Sequence, residues 1–170
     1  MSAALTTTVP DLKLRLATEE DVPLILELIQ ALADYEKLAH EVVATEELLR
    51  GSLFGDGNGG PEVVIAELSG EAAGFALFFA NYSTFLGRAG IHLEDLYVRE
   101  ALRGKGIGKA LLGSLARLAR QRGCGRLEWA VLDWNEPAIR FYEALGARAM
   151  SGWTTYRVTG EALSRLAEEE

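Results

Sequence analysis

The segment from Leu93 to Gly123 constrains the fold more than any other part of the chain. Leu93–Val98 reads as a strand, glycines follow at Gly104, Gly106 and Gly108, and Lys109–Arg122 carries Leu111, Leu112, Leu115 and Leu118 at helical spacing, with Gly123 at the expected stop. A strand, a glycine turn and a helix in that order form an anion-binding device. Small residues let backbone N–H groups approach phosphate oxygens near the positive helix end. Two familiar versions are excluded by spacing. A nucleotide-triphosphate P-loop needs glycine where Arg103 stands and a hydroxyl after Lys109, where the chain has Ala110. A dinucleotide fingerprint needs its third glycine at Lys109, and Gly108 comes one residue too early. The pattern left is R-x-x-G-x-G, spelled by Arg103, Gly106 and Gly108.

The flanking sequence supplies an α/β framework. Leu12, Leu14 and Leu16 alternate with Lys13 and Arg15, the period of a half-buried strand. Thr18 and Asp21 are capping candidates for a helix carrying Leu24, Ile25, Leu28 and Leu32 and running to about Tyr35, with Pro23 tolerated in its opening turn. Thr45, Glu46 and Glu47 suit the start of a second helix, and Gly55–Pro61 an exposed loop. Glu62–Leu68 and Ala72–Ala80 are apolar runs separated by Ser69-Gly70-Glu71, which predicts an antiparallel hairpin. After the central helix, Arg126–Leu132 reads as a strand, Glu136-Pro137 opens a helix ending near Gly146, and Trp153–Val158 reads as a last strand. Glu168–Glu170 is expected to be a solvated, poorly ordered end. The order is β, α, α, β, β, β, α, β, α, β, in one domain spanning 1–170 with no internal repeat or linker.

Composition narrows the partners. The 170 residues are 49% hydrophobic, enough for the core of one domain, and apolar runs such as Ala72–Ala80 are too short to span a bilayer. The N-terminus lacks the layout of a secretory signal, so a cytoplasmic protein with no membrane partner is expected. A net charge of -8 argues against nucleic acid and suits a cationic small molecule. Cys124 is the single cysteine, and His40 and His92 are isolated, so no metal site is expected.

Arg103–Gly108 in this setting resembles the coenzyme-A motif of the GNAT acetyltransferases. A second match lies downstream at Trp134–Ala147, where Asn135 opens a helix bearing Tyr142. Together with Leu93-Glu94-Asp95-Leu96-Tyr97-Val98 these motifs are similar to the spermidine/spermine N-acetyltransferase branch, which includes enzymes acetylating thialysine and related diamines. The resemblance implies the GNAT fold, a mixed and mostly antiparallel twisted sheet flanked by helices. It also implies acetyl-CoA as cosubstrate, no metal, and direct acetyl transfer to a primary amine of a small molecule.

Site residues follow from the same resemblance. Backbone groups of Leu96, Tyr97 and Val98 would hold the pantetheine arm, with the Val98 amide as an oxyanion donor. Arg103, Gly104, Lys105, Gly106, Ile107, Gly108 and Lys109 would bind pyrophosphate, and Asn135 the pantetheine or adjacent backbone. Tyr142, near the sulfur, would be the general acid. Glu94 is the candidate base through an ordered water; a water chain or His92 are alternatives. Strand alternation places Glu94 and Asp95 on opposite faces unless a bulge intervenes. Asp34, Glu36, Glu94 and Asp95 are candidates for holding a cationic acceptor, whereas Lys37 interrupts the acidic run that a long polycation would favour. A homodimer is compatible with the resemblance. Acetylation of a protein or peptide, and a non-catalytic acyl-CoA sensor, are the alternative functions.

Overall fold

The computed structural model describes residues 5–55 and 59–168. It is organised as two compact units, Met1–Ala130 and Val131–Glu170. In the first, strands β1 (Leu12–Leu16), β2 (Glu62–Leu68), β3 (Glu71–Ser83), β4 (Arg88–Val98) and β5 (Leu127–Trp129) form one sheet in chain order. The first three pairings are antiparallel and β4–β5 is parallel, so the expected mixed, mostly antiparallel sheet is present.

Local chemistry accounts for the connections. The β2–β3 turn has positive φ at both Ser69 (53°) and Gly70 (88°), the backbone that matches the twist of a two-residue hairpin. Helix α1 (Val22–Tyr35) follows a 3-10 turn at Glu19–Asp21. Asp21 accepts the Thr18 N–H at 2.7 Å and also binds Arg15, at 2.7 and 2.8 Å, which in turn bonds Glu67. These bonds tie β1, β2 and the helix start together, and the Arg15 guanidinium holds the Asp21 carboxyl down to about 2.

Helix α2 (Glu46–Phe54) begins at Thr45, whose hydroxyl accepts the Leu48 N–H at 3.2 Å. Val22, Ile25 and Leu28 of α1 and Leu49 of α2 pack on Val63, Ile65, Phe75 and Leu77, which alternate along β2 and β3. The intervening Val64, Ala66, Ala76 and Phe78 are buried on the other face, toward α3 (Ile107–Gln121), where Ile107, Leu111 and Leu115 are buried and Arg122 lies 5.9 Å over Phe78. Buried on both faces, β3 reads as a continuous apolar run instead of an alternating one.

The second unit holds α4 (Glu136–Ala144) and α5 (Gly160–Glu168). Asn135 caps α4 by accepting the Ala138 N–H at 3.3 Å, and Gly146, at φ 87°, closes it. Three expectations need correction. Trp153–Val158 forms no strand: β-forming residues make a strand only beside a partner edge, and none pairs with them among the described residues. Trp153 and Tyr156 are instead 74% and 90% exposed. The chain end is helical through Glu168, with Glu169 and Glu170 outside the described residues. The expected strand Arg126–Leu132 is reduced to Leu127–Trp129, which pair with Ile91–Leu93 alone. Of the expected loop Gly55–Pro61, residues 56–58 lie outside the described residues.

Candidate active site

The glycine segment takes the backbone form that anion binding would use. Gly104 (φ 77°) and Gly106 (φ 81°) both take the left-handed backbone that favours glycine, and Gly106 is the cap of α3. The first α-helical bond runs from Ala110 N–H to the Gly106 carbonyl at 2.9 Å, so the N–H groups of Ile107, Gly108 and Lys109 have no acceptor within the helix. No acidic residue occupies the first turn, unlike α2 and α4. Ile107 is 1% exposed and anchors this turn in the core, so its side chain serves packing and only its amide faces the cradle chemistry. Lys105 and Lys109 are exposed. Backbone donors, a positive helix end and two lysines fit a pyrophosphate.

Beside the cradle, β5 stops at Trp129, opposite Leu93, and β4 continues through Glu94–Val98 paired to β3 alone among the described strands. This leaves Leu96, Tyr97 and Val98 on a strand stretch whose β5 side has no strand partner, as pantetheine pairing requires. The continuation begins with an irregularity. Leu77 pairs with Asp95 but Phe78 with Leu93, so Glu94 is an extra, unpaired residue: a β-bulge.

The bulge interrupts the regular alternation of side chains at Glu94 and Asp95. Burial, reinforced by the nearby Glu94 and Glu36 carboxylates, pushes the Asp95 carboxyl from 3.8 up to about 6. Burial also raises Glu36. Glu94 is the exposed member, with its side chain 57% accessible and Oε2 3.6 Å from His92 Nε2. His92 is opposite Phe79 on β3, their rings 5.0 Å apart.

Glu36 caps the C-terminal end of α1. Leu38 N–H bonds the Ala33 carbonyl and Lys37 N–H the Asp34 carbonyl, at 2.8 and 3.1 Å, with Lys37 at φ 62° in the position glycine usually takes. The negative end of a helix dipole therefore adds to the acidic cluster, and together they favour a cation. Asp34 is exposed and is not among the carboxylates acting on Asp95.

Arg103 ties the end of β4 to the end of α1. Its Nε donates to the Val98 carbonyl at 3.0 Å, and its guanidinium lies 4.3 Å over the Tyr35 ring and 5.6 Å from that of Tyr97. Tyr35 carries no local sign of this contact, since its partner is distant in sequence. In the second unit, Asn135 is 6% exposed and Tyr142 half-buried, its ring 5.3 Å from Phe141. No group of His, Cys, Asp and Glu suited to a metal occurs among the described residues, and no described helix is long and apolar enough to cross a membrane.

Comparison with known proteins agrees with this geometry. The acetyltransferase (GNAT) family model matches residues 25–147. A thialysine N-epsilon-acetyltransferase of Bos taurus is 42% identical over 91% of this chain and 96% of its own length. An L-ornithine N5-acetyltransferase of Arabidopsis thaliana is 36% identical over 91% of this chain and 87% of its own. Among solved structures, an integron cassette protein from the mobile metagenome of V. cholerae superposes with a TM-score of 0.77 at 26% identity, covering 94% of this chain and 99% of that one.

Proposed function

Because the chain belongs to the GNAT acetyltransferase family, we propose that it transfers the acetyl group of acetyl-CoA to a primary amine of a small cationic molecule: a diamine, a polyamine or a thialysine-like amino acid. The observation that carries this reading is the group of carboxylates, Glu36 and Glu94 acting on the largely buried Asp95, beside the bulge where β4 runs past the end of β5. Relatives acting on thialysine and L-ornithine support the class of acceptor.

Acetyl-CoA supplies an activated thioester. Amides at the start of α3, with Lys105 and Lys109, hold its pyrophosphate, while Leu96–Val98 and Asn135 receive the pantetheine arm. Asp95 and Glu36 hold the acceptor's ammonium, and Glu94, solvent-exposed and beside His92, takes up the proton that the amine must lose before it can attack. Tyr142 returns a proton to the leaving sulfur. The chain serves as one catalytic domain, a reading supported by a family match that extends from the first unit into the second, to residue 147. A cytoplasmic homodimer without a nucleic-acid partner completes the proposal.

Thiol release from acetyl-CoA against diamines, polyamines, thialysine, ornithine, lysine and N-terminal peptides tests it. Turnover is expected on a small diamine or diamino acid, and in Tyr142→Phe kcat should fall by about a hundredfold with acetyl-CoA affinity nearly kept. Turnover on peptides alone would move the protein to the peptide-acetylating class. Acetyl-CoA binding without turnover would make it a sensor.

A further inference from the structure

Arg103 opens the cofactor motif, yet its described contacts are with an aromatic pair and a strand end. A guanidinium 4.3 Å over a tyrosine ring is held by the ring's quadrupole and by planar stacking, and the Nε bond to the Val98 carbonyl at 3.0 Å fixes the fork from its other side. Three elements meet in this clasp: the end of α1 through Tyr35, the end of β4 through Tyr97 and Val98, and the turn leading into the cradle. Tyr35 stands immediately before Glu36, and Glu36 acts on Asp95 across the cluster. The position of the α1 end therefore sets the spacing of the carboxylates. Among the described residues, the charges acting on Asp95 are the carboxylates of Glu94 and Glu36. The Arg103 cation lies on the aromatic rings and leaves the cluster's negative charge available to a ligand.

We propose that Arg103 is a positioning residue for the amine acceptor: by clasping Tyr35 to the end of β4 it fixes Glu36 relative to Glu94 and Asp95. This rests on the amine-acetylating reading above and assigns Arg103 a role on the acceptor side that its place in a phosphate-binding motif does not suggest. The two roles separate in kinetics. A phosphate ligand governs acetyl-CoA affinity, whereas a clasp governs acceptor KM and acts only through its ring partner.

Arg103→Gln, Tyr35→Leu and the double variant form the test, with amine KM and kcat measured at saturating acetyl-CoA and acetyl-CoA Kd measured separately by titration. Each single variant should raise amine KM by about two- to fivefold, the scale of one solvent-exposed stack, with kcat changed less than about twofold. The double variant should be no worse than either single one, because both remove the same contact. An amine KM unchanged in Arg103→Gln, or single effects that multiply in the double variant, would overturn the clasp while leaving the enzyme reading intact. Absence of wild-type turnover on every amine would overturn both.

Discussion

Asp95 is a carboxylic acid held largely out of water. Its folded-state carboxyl, at about 6, lies above the 3.8 of the open chain, so the folded protein binds the extra proton between those values. The acid form is tolerated, so the contribution of Asp95 to stability is fully present below about pH 4 and is lost as pH rises through about 6. Asp95→Asn should therefore be more stable than the parent at pH 8, by about 1–3 kcal/mol, and equal to it near pH 4, as read from urea midpoints. Activity should run the opposite way, because holding an ammonium needs the carboxylate. In the parent, kcat/KM for the amine should fall as pH drops through about 6, and that limb should disappear in Asp95→Asn. The Glu94-Asp95 pair was legible in the sequence as chemistry, but their division of labour was not. It depends on one irregular pairing, Leu77 with Asp95 and Phe78 with Leu93, for which the local sequence gives no signal.

Among the elements, those with a local cause were readable and those depending on a distant partner were not. The β2–β3 hairpin follows from Ser69-Gly70, and α3 follows from its leucine stripe and glycine boundaries. The early end of β5 and the missing strand at Trp153–Val158 reflect pairing edges that no window of sequence contains. Close approach between strands is equally hidden. At Gly74, a Cβ would collide with the Tyr97 carbonyl oxygen and come within 3.1 Å of Val98 Cα. Gly74→Ala should thus lower stability by about 1–3 kcal/mol, the usual cost of forcing atoms into a packed site, and weaken acetyl-CoA binding by displacing the β4 end. Gly113→Ala, in the interior of α3 with only the flexible Arg117 side-chain end nearby at 3.4 Å, should instead stabilise by about 0.5–1 kcal/mol. Denaturant midpoints for the two variants check the contrast.

For the whole molecule, the question is whether the units Met1–Ala130 and Val131–Glu170 fold together. The second unit is poor in core, with Met150, Trp153, Tyr156, Leu163 and Leu166 all exposed, and an isolated segment of this kind would have little apolar burial to offset its ordering. Urea unfolding of a Trp129→Phe variant followed by tryptophan fluorescence, which then reports Trp134 and Trp153 of the second unit, should coincide with unfolding followed by far-ultraviolet circular dichroism. Separated transitions would mean that the units are independent and would count against one catalytic domain.

The bulge at Glu94 has a consequence for how such a chain can change. Removing a single residue there would give β4 an uninterrupted ladder against β3, a gain by every rule of sheet regularity, and would turn the neighbouring side chains to alternate faces. Selection for a better-ordered sheet and selection for neighbouring carboxylates therefore oppose each other at this one position. Between Leu93 and Leu96, a change of residue type alters the chemistry but keeps the register, whereas a change in chain length alters both.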